Sequence, residues 1–350
     1  MTETVPQIDP LEESLLHQLL VQSNRLQALP TGLVLLALTL DALLLAAAWA
    51  YGGGAGPAAL GVTVAFGLAC AVEWGLLAGL RATGRSFGPD KPSVLALAAV
   101  QALLLGILGL LAAPWLLAVG LLILIAALVT YATWVEPFQL GVTHQTYMTS
   151  KYQADQPLRL LQVGDLHIER ITARERDLNQ KIQALQPDVI VFTGDFVNLS
   201  NTHDPEAEQA IRAVIGEWQA PLGVYCVSGT PLVEPMARVE AFVQGLENLK
   251  LLNNQWLTIP TPGGPLNLLG LTVTHDMARD RALLRRMMLN APRSGLRLLA
   301  FHPPDIAPEA NEAGIDLYLC GHTHGGQMRL PLIGAVFSSS HLGNRFIMGR

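Results

Sequence analysis

In the second half of the chain, side chains able to ligate metals recur just behind apolar runs. "GDLH" supplies Asp165 and His167, "GDFVN" supplies Asp195 and Asn198, "FHPPD" supplies His302, and "GHTHGG" supplies His322 and His324. One histidine behind one strand is usually a packing residue. Two aspartates and four histidines behind four separate runs are hard to assign to packing. Oxygen and imidazole donors without thiolate suit Mn, Fe, Zn or a mixed pair rather than a structural zinc site. Glycines beside most of these residues let the backbone turn sharply or approach a ligand closely.

The elements that must position them can be read from the same stretch. "LRLLQVGD" reads as a strand ending in a loop, "RERDLNQKIQALQ" as an amphipathic helix closed by Pro187, "PDVIVFTGD" as a second strand and "PEAEQAIRAVIGEW" as a second helix. "LGVYCVSG", "LNLLGLTV", "LRLLAFH" and "IDLYLCGH" read as further strands, some separated by helical stretches. This alternation predicts an α/β domain with largely buried strands. Ligands in such domains gather beyond the carboxyl ends of the strands.

The first part of the chain is of another kind. The chain is 51% hydrophobic with a mean hydropathy of +0.36, and the excess lies before Glu136, where the basic residues are Arg25, Arg81, Arg85 and Lys91. Four apolar runs, near residues 31–51, 58–80, 94–112 and 115–134, are long enough to span a bilayer core, which takes about 20 helical residues. The loop "RATGRSFGPDKP" between the second and third runs carries Arg81, Arg85 and Lys91. Basic short loops face the cytoplasm, so both ends of the four-span region are expected there too. Residues 1–30 hold "LEESLLHQLLVQSNRLQAL", whose leucine spacing predicts an amphipathic helix. Asp41 and Glu73 lie inside spans; without a regular row of polar neighbours they read as hydrogen-bonded structural acids. Cys70, Cys226 and Cys320 show neither metal spacing nor a disulfide framework. A net charge of −6 without a basic cluster gives no support for a nucleic-acid partner.

The order D-x-H, G-D, a middle loop, H and G-H-x-H resembles the calcineurin-like metallophosphoesterase superfamily, in particular its bacterial membrane-anchored branch. The resemblance covers residues 136–350 and includes "VEPFQLGVTHQTY" as a strand leading into the domain. It implies a four-layer αββα sandwich preceded by an all-α transmembrane region of four helices over residues 31–135. It also implies two divalent ions. Asp165, His167 and His324 would hold the first, Asp195 would bridge, and His302 and His322 would hold the second. An ion pair about 3.5–4 Å apart lowers the pKa of a shared water, and the resulting hydroxide attacks phosphorus in line. Asp195 and His322 are then the residues on which hydrolysis most depends, with Asn198 in a structural role.

The sequence departs from the resemblance in the middle loop. The family carries G-N-H-D or G-N-H-E there, where Asn ligates the second ion and His contacts the phosphate and helps the leaving group depart. Here Gly229-Thr230-Pro231-Leu232 stands instead. Thr230 offers a hydroxyl, a weak ligand, and Pro231 offers nothing. The second ion is therefore expected to be held weakly or not at all. Loss of a general acid typically costs about 10²–10⁴ in rate, and matters least when the leaving group is a weak base. His203 and His275 offer themselves as replacements, and each reads rather as a surface histidine. The resemblance also leads one to expect further strands after G-H-x-H, whereas "SSSHLGNRFIMGR" follows soon after what reads as one hairpin, as in a C-terminally truncated domain.

The function expected is a metal-dependent phosphoesterase of the inner or plasma membrane with a cytoplasmic catalytic domain. Its bond would be a phosphodiester or pyrophosphate, in a lipid-linked substrate met at the bilayer. Some membrane-associated members of the family it resembles cleave a pyrophosphate bond in UDP-diacylglucosamine. The rival reading is a catalytically impaired relative with a regulatory or scaffolding role.

Overall fold

The computed structural model describes residues 22–347 apart from 54–55, 86–87, 327–328, 331 and 336–337. The predicted amphipathic helix lies mostly outside them; residues 22–24 are helical and Arg25–Ala28 form a 3-10 turn. Among the described residues the chain divides into two compact units, one running to Gly141 and taking in Thr172–Arg174, the other holding Val142–Ile171 and the residues from Glu175 onward.

The first unit is a helix bundle. Helices α1 (Thr31–Tyr51), α2 (Gly56–Ala82), α3 (Asp90–Leu110) and α4 (Trp115–Thr130) coincide with the four apolar runs. A π turn at Tyr131–Val135 and a 3-10 turn extend α4 to Phe138. All four are long and apolar enough to cross a membrane. They are apolar all round, as a helix between protein and lipid must be. Leu45, Trp49, Phe66, Leu105 and Leu122 point into the bundle, while Leu36, Leu44, Leu103 and Leu116 point outward. Glu73 is buried and accepts a hydrogen bond from the Gln101 amide at 2.7 Å, which answers its polarity between α2 and α3. Asp41 is partly buried on α1. At the end carrying the basic loop, the Arg85 guanidinium stacks on Trp134 and Phe138, 5.1 and 4.9 Å from their ring centres.

The second unit holds two four-stranded sheets. In the first, β1 (Leu160–Val163), β2 (Val189–Phe192), β3 (Val224–Cys226) and β4 (Leu249–Leu251) lie side by side in that order, all parallel. Helices α5 (Ala173–Leu185), α6 (Pro205–Gly216) and α7 (Met236–Val243) make the crossovers that parallel pairing requires. In the second sheet, β5 (Gln255–Ile259) runs antiparallel to β6 (Leu266–Gly270), and β7 (Leu296–Ala300) and β8 (Leu317–Leu319) continue parallel to β6. Helices α8 (Met277–Met288) and α9 (Ala307–Glu312) follow β6 and β7.

The two-residue period of a strand sends alternate side chains to opposite faces, and that period builds four layers. Val189 and Val191 of β2 meet Leu266, Leu268, Leu298 and Ala300 between the sheets. Ile190 and Phe192 point the other way, onto Ile211, Val214 and Phe242 of α6 and α7. Leu269 and Leu299 likewise leave the second sheet to pack with Leu284 and Ala310 of α8 and α9. The layers run helix, sheet, sheet, helix. Fully burying one such side chain contributes about 1.5–3 kcal/mol, so the central layers hold the strand ends firmly.

Two local readings change. The segment 139–149 forms no strand; it is mostly exposed and pairs with neither sheet, so it serves as a connecting stretch. β4 and β5 were not foreseen, because "LKL" and "QWLTI" are short and lack an apolar run. The terminal hairpin is present as β9 (Arg329–Leu330) against β10 (Gly334–Ala335).

Helix α6 shows how the loops are pinned. Asp204 caps it by accepting from the Glu206 amide at 2.9 Å, and its other oxygen accepts from Arg170 and Asn201. Burial alone would raise its pKa, but these donors outweigh it and hold the carboxyl at about 2. Asp204→Ala should therefore cost about 1 kcal/mol in denaturant unfolding. The carboxyl's pKa is depressed on folding, so its contribution is complete above about pH 4 and lost as pH falls toward 2.

Candidate metal centre

The parallel strands of both sheets end on the same side, and each end delivers part of one constellation. Asp165 and His167 follow β1, Asp195 follows β2, Thr230 follows β3, His302 follows β7, and His322 and His324 follow β8. Donor atoms of Asp165, His167, Asp195 and His324 form one tight group, and those of Asp195, His302 and His322 a second. Asp195 belongs to both groups. Every residue named from the sequence as a strong ligand lies in one or other.

The backbone at these positions is unusual. Asp165, His167, Asp195, His322 and His324 all have positive φ, between 44° and 70°. Residues with a Cβ seldom adopt this region, and each such residue costs on the order of 1–3 kcal/mol. The loops are held there by hydrogen bonds that continue the β1–β2 ladder past the strands. The amides of Asp165, His167 and Ile168 donate to the carbonyls of Gly194, Asp195 and Phe196 at 3.0, 3.2 and 2.9 Å. The two sheets are tied together by the His322 amide, which donates to Asp165 Oδ1 at 2.8 Å. Two glycines make room for the carboxylates. A Cβ on Gly229 would stand 2.2 Å from Asp195 Oδ1, and one on Gly321 would stand 2.5 Å from Asp165 Oδ2.

The donor set fits divalent ions. Neighbouring donors on one ion at bond lengths of about 2.0–2.2 Å stand roughly 2.9–3.5 Å apart. Here His167 Nε2 is 3.0 Å from His324 Nε2 and 3.5 Å from Asp195 Oδ2, and His302 Nε2 is 3.2 Å from Asp195 Oδ2. His302 Nδ1 lies 2.8 Å from the Thr193 carbonyl and His167 Nδ1 3.3 Å from that of Val197. A proton on each Nδ1 satisfies those carbonyls and leaves the Nε2 lone pair pointing into the group, the usual arrangement around a ligating histidine.

Electrostatics point the same way. Burial opposes charge on both Asp195 and His302, yet each stabilises the other's charged form more strongly. The Asp195 carboxyl is held well below its ordinary value, and the His302 imidazole is pushed up to about 9. A positive charge between Oδ2 and Nε2, from a proton or a cation, suits this pair. His322 goes the other way: burial, then the neighbouring His302 charge, lower it to about 3, keeping a free lone pair at neutral pH. The first group opens to solvent, with side chains of His167 and His324 28% and 32% exposed, whereas His302 is fully buried.

The middle loop is better built than its sequence suggested. Thr230 donates its amide to Asp195 Oδ1 at 2.7 Å, and its hydroxyl lies 3.4 Å from Asp195 Oδ2 and 3.5 Å from His302 Nε2. It therefore stands at the second group. A residue the sequence reading missed is Glu234, fully buried, five positions after Gly229. Its Oε1 accepts from the amides of Asp195 and Gly229 at 3.0 and 2.8 Å, and its Oε2 from those of Phe196 and Val197 at 2.7 and 3.4 Å. One carboxylate thereby clasps the loops after β2 and β3. Burial and the nearby Asp195 charge raise its pKa to about 8. Glu234→Ala would strand these amides, each unsatisfied donor costing about 1–3 kcal/mol. The expected result is a loss of about 3 kcal/mol or more in thermal unfolding, with a smaller loss for Glu234→Gln, which keeps an acceptor oxygen.

The remaining candidates divide. Asn198 caps the turn Leu199–Asn201 and donates to Glu169 Oε1 at 2.5 Å, a structural role. His203 sits in a turn before α6, outside both groups. His275 is not the surface histidine expected: it is 8% exposed, and its ring meets that of His322 edge-on. It lies behind the apolar run "LNLLGLTV", and that position was the available signal.

Comparison with known proteins agrees with this geometry. Residues 158–326 match the calcineurin-like phosphoesterase family model. The chain is similar to the metallophosphoesterase YkuE of Bacillus subtilis, 25% identical over 223 residues, which cover 59% of this chain and 73% of that protein. It is 27% identical over 190 residues to the phosphodiesterase YaeI of Escherichia coli, covering 52% of this chain and 66% of YaeI. Over 102 residues it is 33% identical to the UDP-2,3-diacylglucosamine pyrophosphatase LpxG of Chlamydia trachomatis, 28% of this chain and 30% of LpxG. The chain thus spans just under two thirds of YaeI and under a third of LpxG.

Proposed function

The chain belongs to the calcineurin-like phosphoesterase family through residues 158–326, and from that premise we propose that it is a membrane-anchored, metal-dependent phosphoesterase acting on a phosphodiester or pyrophosphate bond. The observation that carries this reading is the pair of donor groups sharing Asp195. Asp165, His167 and His324 would hold one divalent ion and His302 and His322 a second, with Asp195 available to both. Two such ions lower the pKa of a shared water toward neutrality and withdraw electron density from the phosphoryl oxygens. The chain's own residues do the rest. Glu234 holds the Asp195 backbone amide, the Thr230 amide orients the Asp195 carboxylate, and the Nδ1 contacts of His167 and His302 fix which nitrogen faces the site.

Pro231 has no proton to give a departing group. The substrates favoured are those whose leaving group is already a weak base, a diphosphate, a nucleotide phosphate or an aryl ester. Together with four helices able to cross a membrane and the pyrophosphatase LpxG among the similar proteins, this supports a lipid-linked pyrophosphate. The basic loop holding Arg81, Arg85 and Lys91 supports a catalytic unit on the cytoplasmic side. The rival, a regulatory or scaffolding relative, is favoured by the same Thr230-Pro231 replacement.

The test is metal content and bis-p-nitrophenyl phosphate hydrolysis on the full chain in detergent, with Mn, Fe and Zn supplied in turn. Two ions per chain with turnover is the expected result. One ion or none, and no turnover with any metal, would leave the regulatory reading.

A further inference from the structure

The second donor group is short of a ligand where the middle loop offers only the Thr230 hydroxyl, and another loop brings a histidine beside its member His322. Beyond β6 the chain runs through the buried Leu271 and Val273 to His275, which is 8% exposed with φ of 56°. Both neighbours of His275 are tied down. The amide and hydroxyl of Thr274 donate to Asp280 Oδ1 at 3.0 and 2.6 Å, and Asp280 is itself 2% exposed. Asp276 Oδ1 accepts from the amides of Ala278 and Arg279 at 2.9 and 3.1 Å, capping α8. A left-handed residue between two anchored neighbours is a presented side chain, as at the other ligand positions.

What it is presented to is His322. Their ring centres are 5.6 Å apart at an interplanar angle of 74°. On the other pairing, His302 meets His322 at 5.2 Å and 71°. The two relations are nearly the same. Imidazoles sharing one ion at a metal–nitrogen distance of about 2.0–2.1 Å place their ring centres roughly 5 Å apart. We propose that His275 is a further donor to the ion held by Asp195, His302 and His322, in place of the amide that the Gly229-Thr230-Pro231 loop lacks. This rests on the two-ion reading above and gives the second ion three imidazoles.

The experiment is a Co²⁺ titration of the full chain in detergent, followed by calorimetry and by the visible absorption of bound Co²⁺, which reports its ligands independently of turnover. The wild type should bind two equivalents in two steps. His275→Ala should weaken the second step at least tenfold and change its absorption, leaving the first step unaltered. His275→Phe keeps an edge-on ring against His322 without a donor, so it separates ligation from packing and should show the same loss. His203→Ala should behave as wild type. A second step of wild-type affinity and spectrum in either His275 variant would overturn the proposal. Fewer than two steps in the wild type would overturn the two-ion reading, and this inference with it.

Discussion

Asp195→Ala should reduce hydrolysis of any phosphoester by at least about 10³-fold, because it removes the one side chain common to both donor groups. Charge stabilisation by a bound ion is worth several kcal/mol of barrier, and each 1.4 kcal/mol is tenfold in rate. The loss should appear in kcat and be matched by a fall in metal content toward zero or one ion. Asp195→Asn is the sharper variant. It preserves an oxygen for the Thr230 amide but lacks the charge that holds His302 and His167. Metal content near wild type with activity near wild type would remove Asp195 from its bridging role. Retained folding, read by thermal unfolding, separates this from collapse of the β2 loop.

The second large effect is a gain. Thr230→Asn with Pro231→His rebuilds the family's Asn-His pair at the end of β3. The amide would add a donor to the second group, and the imidazole could hand a proton to the departing oxygen. A restored general acid is expected to raise kcat by about 10²–10⁴ on alkyl phosphodiesters. On p-nitrophenyl esters, whose leaving group needs no proton, the gain should be far smaller. Equal gains on both would mean that the replacement acts through metal affinity alone. A double variant with activity where the parent has none would mark the parent as a protein whose chemistry was lost. The loop can receive the change, because the Glu234 carboxylate holds it through the Gly229 amide, and Thr230 is tied to Glu234 by its backbone carbonyl alone, which accepts from the Glu234 amide at 2.9 Å.

Much of this was legible before any coordinates, for identifiable reasons. A buried parallel strand reads as an apolar run, and when its end carries Gly-Asp or Gly-His, fold and ligand are written in the same few residues. The positions of Asp165, Asp195 and His322 in the donor groups are legible in that way. The bundle was legible because lipid demands about 20 apolar residues per helix. What stayed hidden depends on contacts rather than pattern. Glu234 lies after two loop residues and two apolar ones, where "VEP" resembles an ordinary helix start. Only its four amide partners reveal the role. His275 follows "LTVT" with no glycine beside it, so only its place behind an apolar run sets it apart from a surface histidine. β4 and β5 are too short and too polar for periodicity to expose them, and the 139–149 segment has strand-like composition but no neighbour to pair with.

The left-handed backbone at Asp165, His167, Asp195, His322 and His324 has a consequence for how this protein can change. Glycine or asparagine would adopt those angles with less strain, so each is a place where the empty fold could be made sturdier by erasing a donor. A library of variants screened for heat resistance alone should drift toward those replacements and lose its ions. The same library screened for turnover should keep every one of the five and gather its stabilising changes elsewhere. Comparing the two outcomes would map, residue by residue, where endurance and chemistry are opposed in this domain.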